Sequence, residues 1–175
     1  MTADDHGTAF LRESLDGFRA LKSQAERALA QADDAAFFAV LDNESNSLAI
    51  LVAHVAGNAV SRWTDFLTTD GEKPTRRRDA EFDLDPRLTR DQLMARWEDG
   101  WRALFGALEP LSAADLDRTV TIRGEPHTVM QAILRQIRHY AYHVGQIVQL
   151  AKHYRGADWQ TLSLPRAPVQ HVRRG

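Results

Sequence analysis

Apolar residues recur at spacings of three and four along most of the chain, which is the pattern of amphipathic helices. One such segment spans residues 8–30, and a second spans residues 46–67. A third opens at Thr89 and is ended by Pro110, and a fourth, long segment covers residues 128–154. The apolar positions of the first segment are Phe10, Leu11, Leu15, Phe18, Leu21, Ala25 and Leu29. We therefore predict four helices.

The segments between these helices carry other signals. Residues 68–88 contain glycine, two prolines and a charged run without sustained periodicity, which predicts a long loop of the kind that is often functional. Short alternating stretches on either side of Arg123 and Gly124 predict a small β-hairpin before the fourth helix. From about residue 156 onward, prolines predict an irregular carboxyl-terminal arm. Together these elements predict an all-α fold, a four-helix bundle forming one domain over residues 1–175.

Composition narrows the function classes. The chain has 175 residues, of which 43% are hydrophobic and 26% charged, as in an ordinary globular domain. Its net charge of -2 offers no overall attraction for nucleic acid, and no run of 18 apolar residues predicts a membrane span. Without a signal peptide, a cytoplasmic location is expected. With no cysteine, any metal must be held by nitrogen or oxygen ligands.

Three histidines stand out on the predicted helices. His139 and His143 are four residues apart on the fourth helix, and His54 lies on the second. A helix turns about 100° per residue, so each histidine falls on a polar stripe beside the apolar face, at a seam between helices. Asn58 shares the stripe of His54, and Gln146 that of His143. Three converging imidazoles can hold a divalent ion and leave one coordination position open.

Each of these observations has a plainer interpretation. A His-x-x-x-His pair on a helix also fits solvated or hydrogen-bonded histidines, and Asn58 and Gln146 either orient a substrate or bond between helices. The loop cations either bind carboxylate or phosphate-like groups of an anionic cofactor or are solvated. These cations are Lys73, Arg76, Arg77 and Arg78. The tryptophans at helical spacing, Trp63, Trp97 and Trp101, are expected to pack in the core.

Two further expectations concern the surroundings of the histidines. A ligand histidine needs an acceptor for its second ring nitrogen, and the sequence offers Glu44, Asp65, Glu98 or Asp99 for this role. The remaining four histidines are expected at the surface, with His127 the most plausible exception. They are His6, His127, His153 and His171.

Several segments resemble one known superfamily. These are NSLAILVAHVAGN at 46–58, RWTDFLTTDGE at 62–72, IRGE at 122–125, RHYAYHVGQI at 138–147 and LPR at 164–166. Together they are similar to the DinB-like (YfiT-like) superfamily of metal-binding four-helix proteins, and within it to a bacterial subfamily of unassigned function. The resemblance implies that His54, His139 and His143 bind one divalent metal ion.

The resemblance also implies chemistry. Members with known activity are thiol-dependent transferases and isomerases that use bacillithiol or mycothiol, which implies a low-molecular-weight thiol bound at the open metal position and a small electrophile as substrate. Zinc suits a neutral three-histidine site best, although nickel, manganese and iron also accept imidazole. A homodimer is expected because dimers are common among the proteins that this chain resembles. No residue stands out as a general base. A non-catalytic metal or small-molecule binder and a metal-dependent hydrolase are the alternatives, whereas a nuclease is disfavoured by the near-neutral charge.

Overall fold

Helices dominate the computed structural model, which describes residues 2–164. The helices are α1 (Ala3–Leu29), α2 (Asp34–Phe38), α3 (Leu48–Trp63), α4 (Arg90–Leu108) and α5 (Val129–Arg155). An antiparallel hairpin of β1 (Thr119–Ile122) and β2 (Glu125–Thr128) comes directly before α5. The predicted all-α bundle with a small hairpin is confirmed. No helix of residues 2–164 combines the length and the apolar character needed to span a membrane.

The four long helices each begin behind a hydroxyl side chain. The oxygens of Thr2, Ser47, Thr89 and Thr128 accept a hydrogen bond from a backbone N–H in the first turn of α1, α3, α4 and α5, respectively. Such caps satisfy N–H groups that have no partner inside the helix. Helix α1 starts before the predicted residue 8 because Thr2 and Asp5 form a capping box.

The end of α3 and the presence of α2 also differ from the sequence prediction. Helix α3 ends at Trp63, before the predicted residue 67, because Asp65 adopts a left-handed conformation with φ of 49° and its carbonyl accepts the N–H groups of Thr68 and Thr69. The short helix α2 was not predicted; Asp33 caps it, and Phe37 on it is fully buried. Its single turn is too short to show helical periodicity. The predicted long loop is confirmed between α3 and α4 and contains one 3-10 turn, Arg78–Glu81.

Helix α3 packs along α4, and α1 packs along α5. The close approach of α3 and α4 depends on Gly100, where a Cβ atom would lie 3.1 Å from both the Ala56 carbonyl oxygen and the Ala59 Cβ. Aromatic side chains in the core also join the helices of the bundle. Trp63, Trp97 and Trp101 are each at most 2% exposed, which confirms their predicted core position.

The hairpin anchors the start of the long loop. Its two-residue turn, Arg123 and Gly124, has positive φ at both positions, as a type I′ turn requires. The Asp70 carboxylate accepts the N–H groups of both turn residues, at 2.9 and 2.8 Å. The Gly71 N–H donates to the Thr121 carbonyl at 2.8 Å. After α3, the loop therefore first runs beside the hairpin. Its 3-10 turn, Arg78–Glu81, then packs against α3.

Candidate metal centre

The three histidines predicted from the sequence lie together where α3 meets α5. The Nε2 atom of His139 is 3.1 Å from that of His143 and 3.4 Å from that of His54. One ligand atom from each ring lies within 4.8 Å of the other two. Two nitrogens that each lie about 2.0 to 2.1 Å from one ion, at angles of about 90° to 110°, are about 3.0 to 3.4 Å apart. Two of the three pairs of rings have this spacing, so the cluster could hold a single ion.

The second ring nitrogen of His54 is held by a carboxylate from the long loop. Its Nδ1–H donates to Glu81 Oε2 at 2.9 Å, which directs the Nε2 lone pair towards the other two histidines. Arg76 forms a two-pronged ion pair with the same carboxylate, through contacts of 2.8 and 2.7 Å. Burial would raise the pKa of Glu81, but the hydrogen bonds from His54 and Arg76 lower it below its usual range. Glu81 therefore remains an anion that accepts from His54.

The other two rings are oriented by amides on their own helix. The Nδ1–H of His143 donates to Gln146 Oε1 at 3.0 Å. The amide of Gln136 lies 3.0 Å from Nδ1 of His139 and also bonds to Asn58 on α3. Because the two ends of an amide have nearly the same shape, Gln136 can present its oxygen to a proton on Nδ1 of His139 when the Asn58 amide also turns and donates to that oxygen. Each histidine thus has a partner for its second nitrogen.

These partners differ from the carboxylates proposed from the sequence, which was wrong on this point. Glu98 forms an ion pair with Lys22, and Asp99 pairs with Arg102. Asp65 lies in the exposed turn after α3, and Glu44 is exposed before it. Sequence reasoning missed Glu81 because it lies in a loop without periodicity, so that no spacing relates it to His54. It missed Gln136 as a partner, although Gln136 shares the stripe of His139.

Burial keeps two of the three imidazoles, those of His139 and His143, neutral. Burial, together with the neighbouring rings of His143 and His54, lowers the pKa of His139 to about 3. Burial also lowers the pKa of His143, against the opposing effect of its bond to Gln146. A neutral imidazole offers the lone pair that a metal ion needs. The donor set therefore fits a divalent ion without proton release from these two rings at neutral pH.

A cavity of about 460 Å³ opens beside the histidines and is strongly cationic. His54, His139 and His143 line it together with Phe82, whose ring centroid is 4.9 Å from that of His54. Among residues 2–164, six arginines and no carboxylate line this cavity. The arginines are Arg62, Arg76, Arg78, Arg123, Arg135 and Arg138. The histidine cluster thus faces a pocket large enough for a small molecule.

The loop cations predicted to bind an anionic cofactor occupy several positions. Arg76 is only 4% exposed in its side chain and pairs with Glu72 and Glu81, so its donors are engaged. Lys73 donates to the backbone carbonyls of Ser61 and Asp70. Arg78 lines the cavity, whereas Arg77 lines a different one. The cationic character of the histidine pocket therefore comes mainly from arginines outside the predicted run.

Comparison with known protein families shows which family the chain belongs to. The family model described as "Protein of unknown function (DUF1572)" matches residues 5–168, a span that includes all three histidines. The chain belongs to the DUF1572 family. DUF1572 is part of the DinB-like superfamily, as the resemblance in the sequence implied. A search of the curated proteins finds no match to the chain.

The remaining histidines of this DUF1572 protein stand apart from the cluster. His6 and His153 are exposed, as predicted. His127 is half-buried in β2, and its Nδ1 atom lies 3.0 Å from the Glu125 carbonyl oxygen. His171 lies outside the described residues. His153 is on the same helix as His139 and His143, which makes it a suitable control for substitutions in the cluster.

Gly57 of the DUF1572 chain leaves room for the carboxylate that holds His54. A Cβ atom at Gly57 would lie 2.9 Å from Glu81 Cδ and closer still to Oε1. Replacing Gly57 with alanine is expected to displace Glu81 and to weaken zinc binding about 10- to 100-fold, the usual effect of losing a hydrogen-bond partner of a metal ligand. Competition with a chromophoric chelator measures this. Gly106→Ala is the control, since Gly106 is also helical and has open space around it; equal zinc affinities of the two variants would contradict the role of Glu81.

The lowered histidine pKa values predict acid sensitivity of the metal-free DUF1572 protein. The pKa of His139 is about 3 in the folded chain, whereas its ordinary value is 6.5. Between pH 3 and 6.5, the His139 ring therefore binds a proton more readily in the unfolded chain than in the folded chain. This contribution to stability is present above pH 6.5 and is lost as the pH falls towards 3. We expect His139 to contribute a loss of about 2 kcal/mol between pH 6.5 and 4.5, discounted for partial exposure.

Urea unfolding in the presence of a chelator at pH 7.5, 6.5, 5.5 and 4.5 measures this loss. Carboxylates also destabilise the folded chain in acid, so the comparison is with His139→Gln, which lacks the titrating ring. The wild type should lose more free energy of unfolding than this variant over the same interval. Equal losses in the two proteins would show that His139 is not held neutral by the fold.

Proposed function

We propose that the chain is a metal-dependent enzyme that joins a low-molecular-weight thiol to a small electrophile, or isomerises a thiol adduct. His54, His139 and His143 hold the divalent ion. The observation that carries the proposal is the convergence of three Nε2 atoms at separations of 3.1 and 3.4 Å, with their opposite nitrogens engaged, at the wall of a cavity of about 460 Å³.

Three considerations favour zinc in this site. The donors are three imidazole nitrogens, and the chain has no cysteine to favour a softer ion. The histidine partners include one carboxylate, Glu81, as in many zinc sites. Three protein ligands leave a position for substrate. Nickel, manganese and iron also accept imidazole, and metal analysis distinguishes them.

The cavity favours a thiol over water as the nucleophile. A divalent ion held by neutral ligands supplies a Lewis-acidic position that lowers the pKa of a thiol or water placed there. A thiol starts from a pKa of about 8.5, far below that of water, and neighbouring arginines lower it further. Six arginines and no carboxylate of residues 2–164 line the cavity, so its surroundings favour an anionic nucleophile. The lower starting pKa of the thiol then favours thiolate over hydroxide.

The protein groups around the ligands have distinct tasks in this proposal. Glu81, fixed by Arg76, keeps the proton of His54 on Nδ1, and Gln146 does the same for His143. Phe82 covers one side of His54 and keeps water from that face. The arginines favour negative charge on the bound substrate. These side chains orient the histidines and hold an anionic reactant. None of them takes part in the proposed reaction itself.

Turnover with a panel of thiols tests the proposal. Metal-loaded protein is incubated with each thiol and monochlorobimane, and conjugation is followed by fluorescence. We expect thiol-dependent turnover that is lost in His139→Ala and retained in His153→Ala, which changes an exposed histidine of the same helix. Metal binding without turnover by any thiol would indicate a non-catalytic binding protein. Turnover of ester or amide substrates without thiol would indicate a hydrolase, and either result would overturn the proposal.

A further inference from the structure

We propose that the arginine-lined cavity beside the histidines binds an oxyanion, a carboxylate or phosphate group carried by the substrate or thiol cosubstrate, with Arg62 as the main buried anchor. The inference rests on the proposed function, because it names the substrate class of that same site. It differs from the loop interpretation of the sequence, since the anchor lies on α3 and not in the charged run.

Arg62 is the strongest argument for a bound anion. It is the one charged residue of helix α3 (Leu48–Trp63) and is only 2% exposed. Its Nε and Nη1 atoms are enclosed and have no hydrogen-bond partner among the described residues, yet its side chain lines the cavity. A buried charge is costly unless it is paired. An oxyanion in the cavity would provide the missing charge.

The surroundings of Arg62 are shaped to keep its guanidinium in place. A Cβ atom at Gly71 would lie 2.8 Å from Nη1 and 3.0 Å from Cδ of Arg62, so the absence of a side chain there leaves the room that the guanidinium occupies. Burial lowers the pKa of Arg62, and Tyr140 and Glu72 oppose this effect without accepting a hydrogen bond from it. The chain thus holds a desolvated cation at the wall of the pocket.

The other arginines of the cavity leave an excess of positive charge. Among residues 2–164, the carboxylates paired with the six arginines are Glu72, Asp79 and Glu81. Arg135 and Arg138 are exposed on α5 at the side of the cavity. The chain as a whole has a net charge of -2, so the positive charge is concentrated at this cavity and is not a general property of the surface. A bound divalent ion would increase it, so the pocket strongly favours an anionic occupant.

The residue type indicates which anions fit. All cations of the cavity are arginines, whose planar donors match the two oxygens of a carboxylate or phosphate. The volume of about 460 Å³ suits a small molecule. A thiol bearing a carboxylate or phosphate group, or an electrophile bearing one, could place its anion on the arginines while its reacting atom faces the histidines.

Isothermal titration of chelator-treated protein tests the inference without any metal. Inorganic phosphate and malonate are titrated separately at pH 7.5 and constant ionic strength. We expect at least one of them to bind with a Kd of about 1 mM or lower, and Arg62→Gln to weaken binding about tenfold or more. The double variant Arg135→Gln/Arg138→Gln, which changes exposed residues, should weaken it about three- to tenfold. Arg155→Gln, exposed at the far end of α5, is the control and should change the Kd less than about twofold.

The outcomes separate the two proposals. Tighter binding of phosphate than of malonate indicates a phosphate-bearing substrate, and the reverse indicates a carboxylate; both support the inference. If Arg62→Gln does not fold, the double variant decides. Equal weakening by Arg155→Gln, or unchanged binding in the cavity variants, would overturn it. Because the protein is metal-free, an anion can bind here even if no thiol is turned over, and turnover can persist without this subsite.

Discussion

Replacing His139 with alanine is expected to weaken the binding of zinc by about 300-fold or more. The Nε2 atom of His139 is the central one of the three, at 3.1 Å from that of His143 and 3.4 Å from that of His54. The free energy of zinc binding to sites made of protein ligands is about 10 kcal/mol or more. Each of three ligands therefore accounts for about 3 to 4 kcal/mol of it. Competition titration with a chelator of known affinity measures the difference between wild type and variant.

The matched control for this prediction is His153→Ala on the same helix. His153 is exposed and lies away from the cluster, so its loss should leave the zinc affinity within about twofold of the wild type. Circular dichroism of both variants checks that α5 is intact. If the two substitutions had the same effect on affinity, zinc would be bound at surface histidines and not by the cluster.

Replacing Trp97 with alanine is expected to destabilise the fold by about 3 to 5 kcal/mol. Trp97 is fully buried, its ring centroid is 5.5 Å from that of Trp101, and its Nε1–H donates to Glu26 Oε1 at 3.1 Å. The substitution leaves a cavity between α1 and α4 and removes this bond between the two helices. Since domains of this size are stable by about 5 to 15 kcal/mol, the variant would lose a large part of its stability.

Urea unfolding of the metal-free protein measures this effect. Tyr142→Ala serves as the control, because Tyr142 is an aromatic residue on α5 that is 65% exposed. Its replacement should change the free energy of unfolding by no more than about 0.5 kcal/mol. A loss below about 1 kcal/mol for Trp97→Ala would mean that the aromatic centre of the bundle is not packed as described.

The histidine cluster could be predicted because helical geometry is regular. Once His139 and His143 share a stripe beside an apolar face, the rotation of about 100° per residue decides where they point. The same reasoning places His54 on the partner helix. The apolar pattern alone left open whether α3 and α5 meet at these stripes, and the resemblance to the DinB-like superfamily implied that the three rings bind one ion.

The partners of the histidines could not be predicted in the same way. Glu81 reaches His54 from a loop whose path depends on tertiary contacts, such as the bond from Gly71 N–H to the Thr121 carbonyl and the ion pair with Arg76. None of these contacts has a signature in sequence spacing. The four carboxylates proposed instead are paired or exposed elsewhere.

Arg62 shows where sequence reasoning had a signal and did not use it. A lone charged residue within the otherwise uncharged α3 indicates either an exposed end of the helix or a buried functional group. The charged run around Arg76 is conspicuous in the sequence because its charges are adjacent. In the fold, Arg76 instead supports Glu81, and within residues 2–164 Arg62 is a buried charge without a hydrogen-bond partner for its Nε and Nη1 atoms.

Anomalous diffraction at the zinc edge, from crystals grown with excess zinc, tests the central claim most directly. The account predicts one strong peak about 2.0 to 2.1 Å from Nε2 of each of His54, His139 and His143. A structure in which the three side chains point apart with only water between them, or in which zinc lies at other residues, would contradict it.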